Sequence, residues 1–106
     1  MRTRLPDRRP SLTTPVRVPM DGGKEIEITI TVGFADREMR EPREVFCNDF
    51  KAGTSLHAIV MDACILLSRC LQHGDHPAEL ARTCCQPPSL VGAIAACVAA
   101  QMEYPT

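Results

Sequence analysis

Tryptophan is absent from this sequence of 106 residues, and the other aromatics are few, with three Phe and one Tyr. Such a chain has little with which to stack the bases of a single-stranded nucleic acid. A dominant charge sign is also missing. Twelve Lys and Arg face thirteen Asp and Glu, for a net charge of -1, so no global field attracts nucleic acid or membrane. No run of about 18 apolar residues stands out, and no transmembrane helix is expected. The opening MRTRLPDRRP carries no apolar segment behind its charges, unlike a secretory signal, so a cytoplasmic location is expected. Internal repeats and low-complexity segments are lacking as well.

What is present fits one domain. A chain of this size buries roughly two-thirds of the surface it exposes when unfolded, enough to fold without disulfides or metals. Little is left for a large substrate cleft. Six cysteines make an even count. Cys64, Cys70 and Cys97 fall in apolar helical stretches, where a thiol acts as a small hydrophobe. Without a secretion signal, disulfides are not expected.

Residues 1–13 read as a basic arm, with Pro6 and Pro10, ahead of one domain over residues 14–104. Val16, Val18 and Met20 mark a short strand, and Asp21-Gly22-Gly23-Lys24 is a turn signal. The clearest strand follows. Ile26, Ile28, Ile30, Val32 and Phe34 alternate with Glu25, Glu27, Thr29, Thr31 and Gly33, a period of two that buries one face. The two strands form an antiparallel hairpin, and Arg43–Asn48 supplies a third strand after a charged loop. One apolar face needs a helical cover.

Thr54–Gln72 reads as that cover. Leu56, Ile59, Val60, Ala63, Leu67, Cys70 and Leu71 recur at helical spacing, with Thr54 or Ser55 as N-cap and Gly74 as the stop. Ser55, Asp62 and Arg69 recur every seven residues in one narrow polar stripe. Asp62 and Arg69 lie about 10 Å apart along the axis, too far to pair. A helix apolar on both sides is buried on both, so a partner subunit, in a homo-oligomer, is expected on the second side. A short helix begins at Pro77, Cys84-Cys85-Gln86-Pro87-Pro88 breaks it, and a last helix runs over residues 89–101.

Four groups of residues are candidates for chemistry. Lys51, Gly53, Thr54 and Ser55 lead into a helix N-terminus, a natural place for an anion or phosphate. The second Gly and the Gly-Lys-Ser order of a P-loop are missing, and the plainer reading is a capped strand-to-helix connection. Gln72 and His73 end the same helix, either as contacts for a ligand or a larger partner protein or, as the sequence favours, as a polar helix stop. His57 and His76 read as surface or capping residues. Arg4, Arg8 and Arg9 suit a docking arm or a salt-dependent contact with nucleic-acid phosphates. Cys84 and Cys85 are weak metal or redox candidates, because zinc pairs favour a gap of two to four residues. No metal is favoured and no cofactor is expected in this chain.

The order of signals resembles the TSCPD domain family. The stretches that carry the likeness are Leu5-Pro-Asp-Arg-Arg-Pro10, Thr31-Val-Gly-Phe34, Pro42-Arg-Glu-Val-Phe46, Lys51-Ala-Gly53, Asp62-Ala63, Leu71-Gln-His-Gly74 and Pro88-Ser-Leu-Val-Gly-Ala93. Together they cover roughly residues 4–100. The Thr-Ser-Cys-Pro-Asp string that names the family is replaced by Cys84-Cys85-Gln86-Pro87-Pro88-Ser89. The family's domain is typically appended to vitamin B12-dependent (class II) ribonucleotide reductases, and short free-standing members exist. The resemblance implies an association with ribonucleotide reduction and DNA precursor synthesis, with a reductase catalytic subunit as partner and adenosylcobalamin belonging to that subunit. Reductase chemistry needs a thiyl-radical cysteine, a reducing pair and a large barrel, and positioning its cofactor needs a site of matching size.

The expected fold is therefore two-layer α+β. A three-stranded antiparallel sheet, hairpin plus third strand, is covered on one face by one long and two shorter helices. The expected function is a non-catalytic accessory or regulatory domain of ribonucleotide reduction that binds protein or nucleotide. The alternatives are a nucleic-acid-associated or mobile-element protein reusing the fold, and a cysteine-based metal or redox module.

Overall fold

The Ile-rich alternation becomes the central strand of the sheet. In a computed structural model, which describes residues 9–84 and 89–103, β2 (Glu25–Phe34) lies between β1 (Ser11–Pro19) and β3 (Pro42–Phe46), antiparallel to both. One long helix and two shorter ones cover one face: α1 (Ser55–Gln72), α2 (Pro77–Thr83) and α3 (Leu90–Glu103). The fold is thus α+β, with the layers the sequence implies. The radius of gyration, 13.5 Å, is that of a compact globular unit of this length.

Ile28, Ile30, Val32 and Phe34 of β2 point into the core with Val18 and Val45, while Glu25, Glu27 and Thr29 face outward. Burying each large aliphatic side chain contributes about 1.5–3 kcal/mol. Val60, Cys64 and Leu71 of α1 and Ile94, Cys97 and Val98 of α3 complete the core. Residues 21–23 form the hairpin turn, closed by Met20 N–H donating to the Lys24 carbonyl at 2.7 Å. β1 starts at Ser11, inside the segment read as an arm, and its nine residues pair continuously with β2 from Ser11↔Gly33 to Pro19↔Glu25. Pro15 and Pro19 remove two backbone donors from this edge strand.

The outer face of the sheet carries a close approach. Gly33 lies opposite Glu44, and the Glu44 side chain runs across it. A Cβ on residue 33 would sit 2.6 Å from Glu44 Cγ and 2.9 Å from Cδ, so only glycine leaves room. Arg9 closes over this carboxylate with two guanidinium bonds, Nε to Oε2 and NH2 to Oε1, the latter at 2.9 Å. Glu44 is consequently buried although it points away from the helices.

Helix α1 is fixed against β3 by two polar side chains one turn apart. Ser68 Oγ accepts from Val45 N–H at 3.0 Å and donates to the Val45 carbonyl at 3.4 Å. Gln72 Nε2 donates to the Arg43 carbonyl at 3.1 Å. These bonds set the helix rotation. Val60, Cys64, Ser68, Leu71 and Gln72 face the sheet. Leu56 and Ile59, which helical spacing had assigned to the buried face, point to solvent, and Ala63 and Cys70 are only half-buried. That assignment is corrected because it followed the apolar residues alone and left out the polar pair that reaches the strand edge.

By length and composition α1 is apolar enough to cross a membrane, with 18 residues of mean hydropathy 1.3, contrary to the expectation that no such stretch exists. In the fold its polar pair is bonded to β3 and its inner apolar side chains are in the core. The helix ends as its Gly predicts. His73 is the C-cap, Gly74 adopts φ 99°, and the N–H groups of Gly74 and Asp75 donate to the carbonyls of Leu71 and Cys70 at 3.1 and 3.0 Å. This is the Schellman arrangement.

Replacing Ser68 with Ala leaves the buried Val45 N–H without its acceptor. Denaturant unfolding of Ser68→Ala is expected to show a loss of about 1–3 kcal/mol. Ser55→Ala, at an exposed position of the same helix, should stay within about 0.5 kcal/mol of the parent chain.

Candidate functional site

Local geometry separates the candidate groups. Thr54 is the N-cap of α1, and its Oγ1 accepts from His57 N–H at 3.2 Å and donates to the Lys51 carbonyl at 2.7 Å. Thr54 N–H reaches the same carbonyl at 3.3 Å, and the His57 ring nitrogen Nδ1 meets the Phe50 carbonyl at 3.2 Å. The loop of Lys51, Gly53, Thr54 and Ser55 is exposed and closed largely upon itself. Gln72 and His73 sit at the other end of α1, about 27 Å away at ~1.5 Å per residue, so the two groups do not share one site. Gln72 is buried and bonded to β3, whereas His73 is exposed. His76 caps α2, its Nδ1 accepting from Ala78 N–H at 3.2 Å.

In the arm, Arg9 is engaged with Glu44 on the open face of the sheet. Arg4 and Arg8 lie outside the described residues, as does Cys85. Cys84 Sγ meets the Leu80 carbonyl at 3.4 Å. Cys47, Cys64, Cys70, Cys84 and Cys97 are free thiols. Among the described residues, no group of three or more His, Cys, Asp or Glu is placed to hold a metal ion.

Cys47 and Cys64 are buried neighbours in the core. Burial pushes the Cys64 thiol up to about 11 from 9.0, the negative charge of a Cys47 thiolate adds to the rise, and a backbone bond from Cys47 offsets a little of it. Burial raises Cys47 and Cys97 as well. Low thiolate content makes these groups poor nucleophiles.

Two surfaces lie outside the four candidate groups, and the second is the other apolar side of the long helix that the sequence had implied. One is an open groove of about 420 Å³ between β1 and α3, lined by Val16, Val18, Ala93 and Cys97 with Arg17 and Gln101 at its rim. The other is the outer side of α1. Leu56, Ile59, Ile65 and Leu66 stand exposed there, Ile59 at 58% and Leu66 at 64%. Exposed apolar side chains concentrated on one helix mark an interaction surface. The seven-residue recurrence of Ser55, Asp62 and Arg69 was the available signal, since all three lie on this outer side. Comparison with known protein families, characterised proteins and solved structures finds no match.

The raised thiol values fix a pH dependence. With its folded value above its unfolded one, Cys64 favours the folded state fully below about pH 9. That contribution is lost as the pH rises toward 11, because the unfolded chain releases the proton first. Denaturant unfolding at a series of pH values should show this decline, and Cys64→Ala should flatten it. At pH 8 the Cys64 thiolate is about a hundredfold scarcer than that of an ordinary cysteine. Mass mapping after brief alkylation is therefore expected to find Cys84 modified before Cys64.

Proposed function

We propose that this chain is an accessory or regulatory module of ribonucleotide reduction that acts by binding, without catalysis of its own. The observation that carries the reading is the character of its surfaces. Among the described residues they are an open groove and an exposed apolar helix side, both suited to another macromolecule. The resemblance to the TSCPD domain, from Leu5-Pro to Pro88-Ser, supplies the metabolic context. Its partner is then a cobalamin-dependent reductase catalytic subunit, and the cofactor chemistry belongs to that subunit in the cytoplasm.

Protein binding is favoured over nucleotide binding. The Thr54 hydroxyl, which would face a phosphate at the head of α1, is already bonded on both sides within its own loop. The Arg9 guanidinium is likewise held by Glu44, which weakens the nucleic-acid reading of the arm.

Co-elution of the purified chain with a class II reductase catalytic subunit tests the reading, together with deoxyribonucleotide formation measured with and without the chain. The expected outcome is a complex and a changed rate, with no product from the chain alone. Thermal shift with ATP and dATP tests the nucleotide branch, since a ligand at 100 times its Kd adds about 2.7 kcal/mol of stability. Absence of both co-elution and shift overturns the proposal, and product formed by the isolated chain overturns its non-catalytic part.

A further inference from the structure

The outer side of α1 has the pattern of a helix that packs against another helix. Leu56, Ile59, Ala63, Leu66 and Cys70 follow one another at intervals of three, four, three and four residues. That is the seam of a heptad repeat, with apolar residues at the two seam positions. Along one flank run Ser55, Asp62 and Arg69, each just before a seam residue. Along the other flank, Val60 and Leu67 are already engaged with the chain's own core. The seam is thus open on its charged side. Its most exposed members are Ile59 at 58% and Leu66 at 64%, on either side of the half-buried Ala63.

Asp62 and Arg69 identify the occupant. They share one azimuth on the helix but are seven residues apart, about 10 Å along the axis, so they cannot meet within one chain. Neither side chain has an ion-pair or hydrogen-bond partner among the described residues. Two copies of the helix laid antiparallel about a two-fold axis bring Asp62 of each beside Arg69 of the other, giving two equivalent ion pairs. The same register sets Ala63 against Leu66 of the second copy and Cys70 against Ile59 of the second copy. Both of these layers pair a small side chain with a large one. A parallel pair would instead stack Ala63 on its own counterpart and Leu66 on its own, and Asp62 would face an apolar position.

A lipid surface fits less well. A helix lying on a bilayer carries Lys and Arg on its polar face, whereas α1 has one Arg, balanced by one Asp, beside the apolar stripe. We infer that the outer side of α1 is the self-association surface of this protein, an antiparallel α1–α1 contact between two copies held in register by reciprocal Asp62–Arg69 pairs. Such a contact is isologous and closes at two chains. It occupies the helix and leaves the β1–α3 groove free.

Light scattering on the eluting full-length chain reads the contact directly. The expected mass is twice the 11.7 kDa of one chain, and Leu66→Glu is expected to halve it while circular dichroism stays unchanged. Asp62→Arg and Arg69→Asp should each shift the chain toward the single mass, because each sets like charges against one another. An equimolar mixture of these two variants should recover the doubled mass, since each then offers the charge the other lacks. That recovery is specific to the antiparallel register and remains readable should Leu66→Glu fail to fold. A single-chain mass for the parent at every concentration overturns the proposal. So does a dimer indifferent to both charge reversals. A monomer that co-sediments with mixed phosphatidylcholine–phosphatidylglycerol vesicles overturns it in favour of a lipid surface.

Discussion

The arrangement of this protein turns on how the long helix satisfies the edge of the sheet. Strand β3 pairs with β2 on one side only, and the backbone groups on its other side must find partners once buried. Ser68 and Gln72, one helical turn apart, supply them at Val45 and Arg43. Moving either residue by one position would carry it about 100° around the helix and away from the strand. The two bonds therefore fix both the position of α1 and the direction of every other side chain on it.

That constraint has a functional side. Once Ser68 and Gln72 face the strand, the heptad-spaced apolar residues necessarily face outward. A helix with a polar inner rail and an apolar outer seam inverts the usual arrangement of a surface helix. Its inner face still contributes Val60, Cys64 and Leu71 to the core, so the fold does not suffer from the inversion. What the inversion leaves is an apolar surface with matched charges beside it, on a rigid element, which suits recognition better than reaction.

Much of the fold was legible in the sequence because its signals are local. The alternation from Ile26 to Phe34 prescribes a strand, the Gly22-Gly23 turn prescribes a hairpin, and Thr54 and Gly74 bracket α1. The rotation of α1 was not legible. Helical spacing shows which residues share a face, but here two apolar faces competed, and the choice rests on hydrogen bonds to residues 23 and 29 positions away in the chain. The pairing of Arg9 with Glu44 across 35 positions was equally out of reach, although Gly33 within an Ile-rich strand marked the close approach. Of the candidate site residues, the distance between Lys51 and His73 could be read from helix length alone. The role of Gln72 as a strand-edge donor could not.

Both margins of the sheet are blunted against further strands, one by Pro15 and Pro19, which remove outward donors from β1, and the other by the side chains of α1 that bond β3. A ribbon as rich in isoleucine as β2 would otherwise be a template for cross-β stacking. With both margins blunted, edge-to-edge growth into fibres is disfavoured, and association through the outer side of α1, as proposed above, would close at two chains instead.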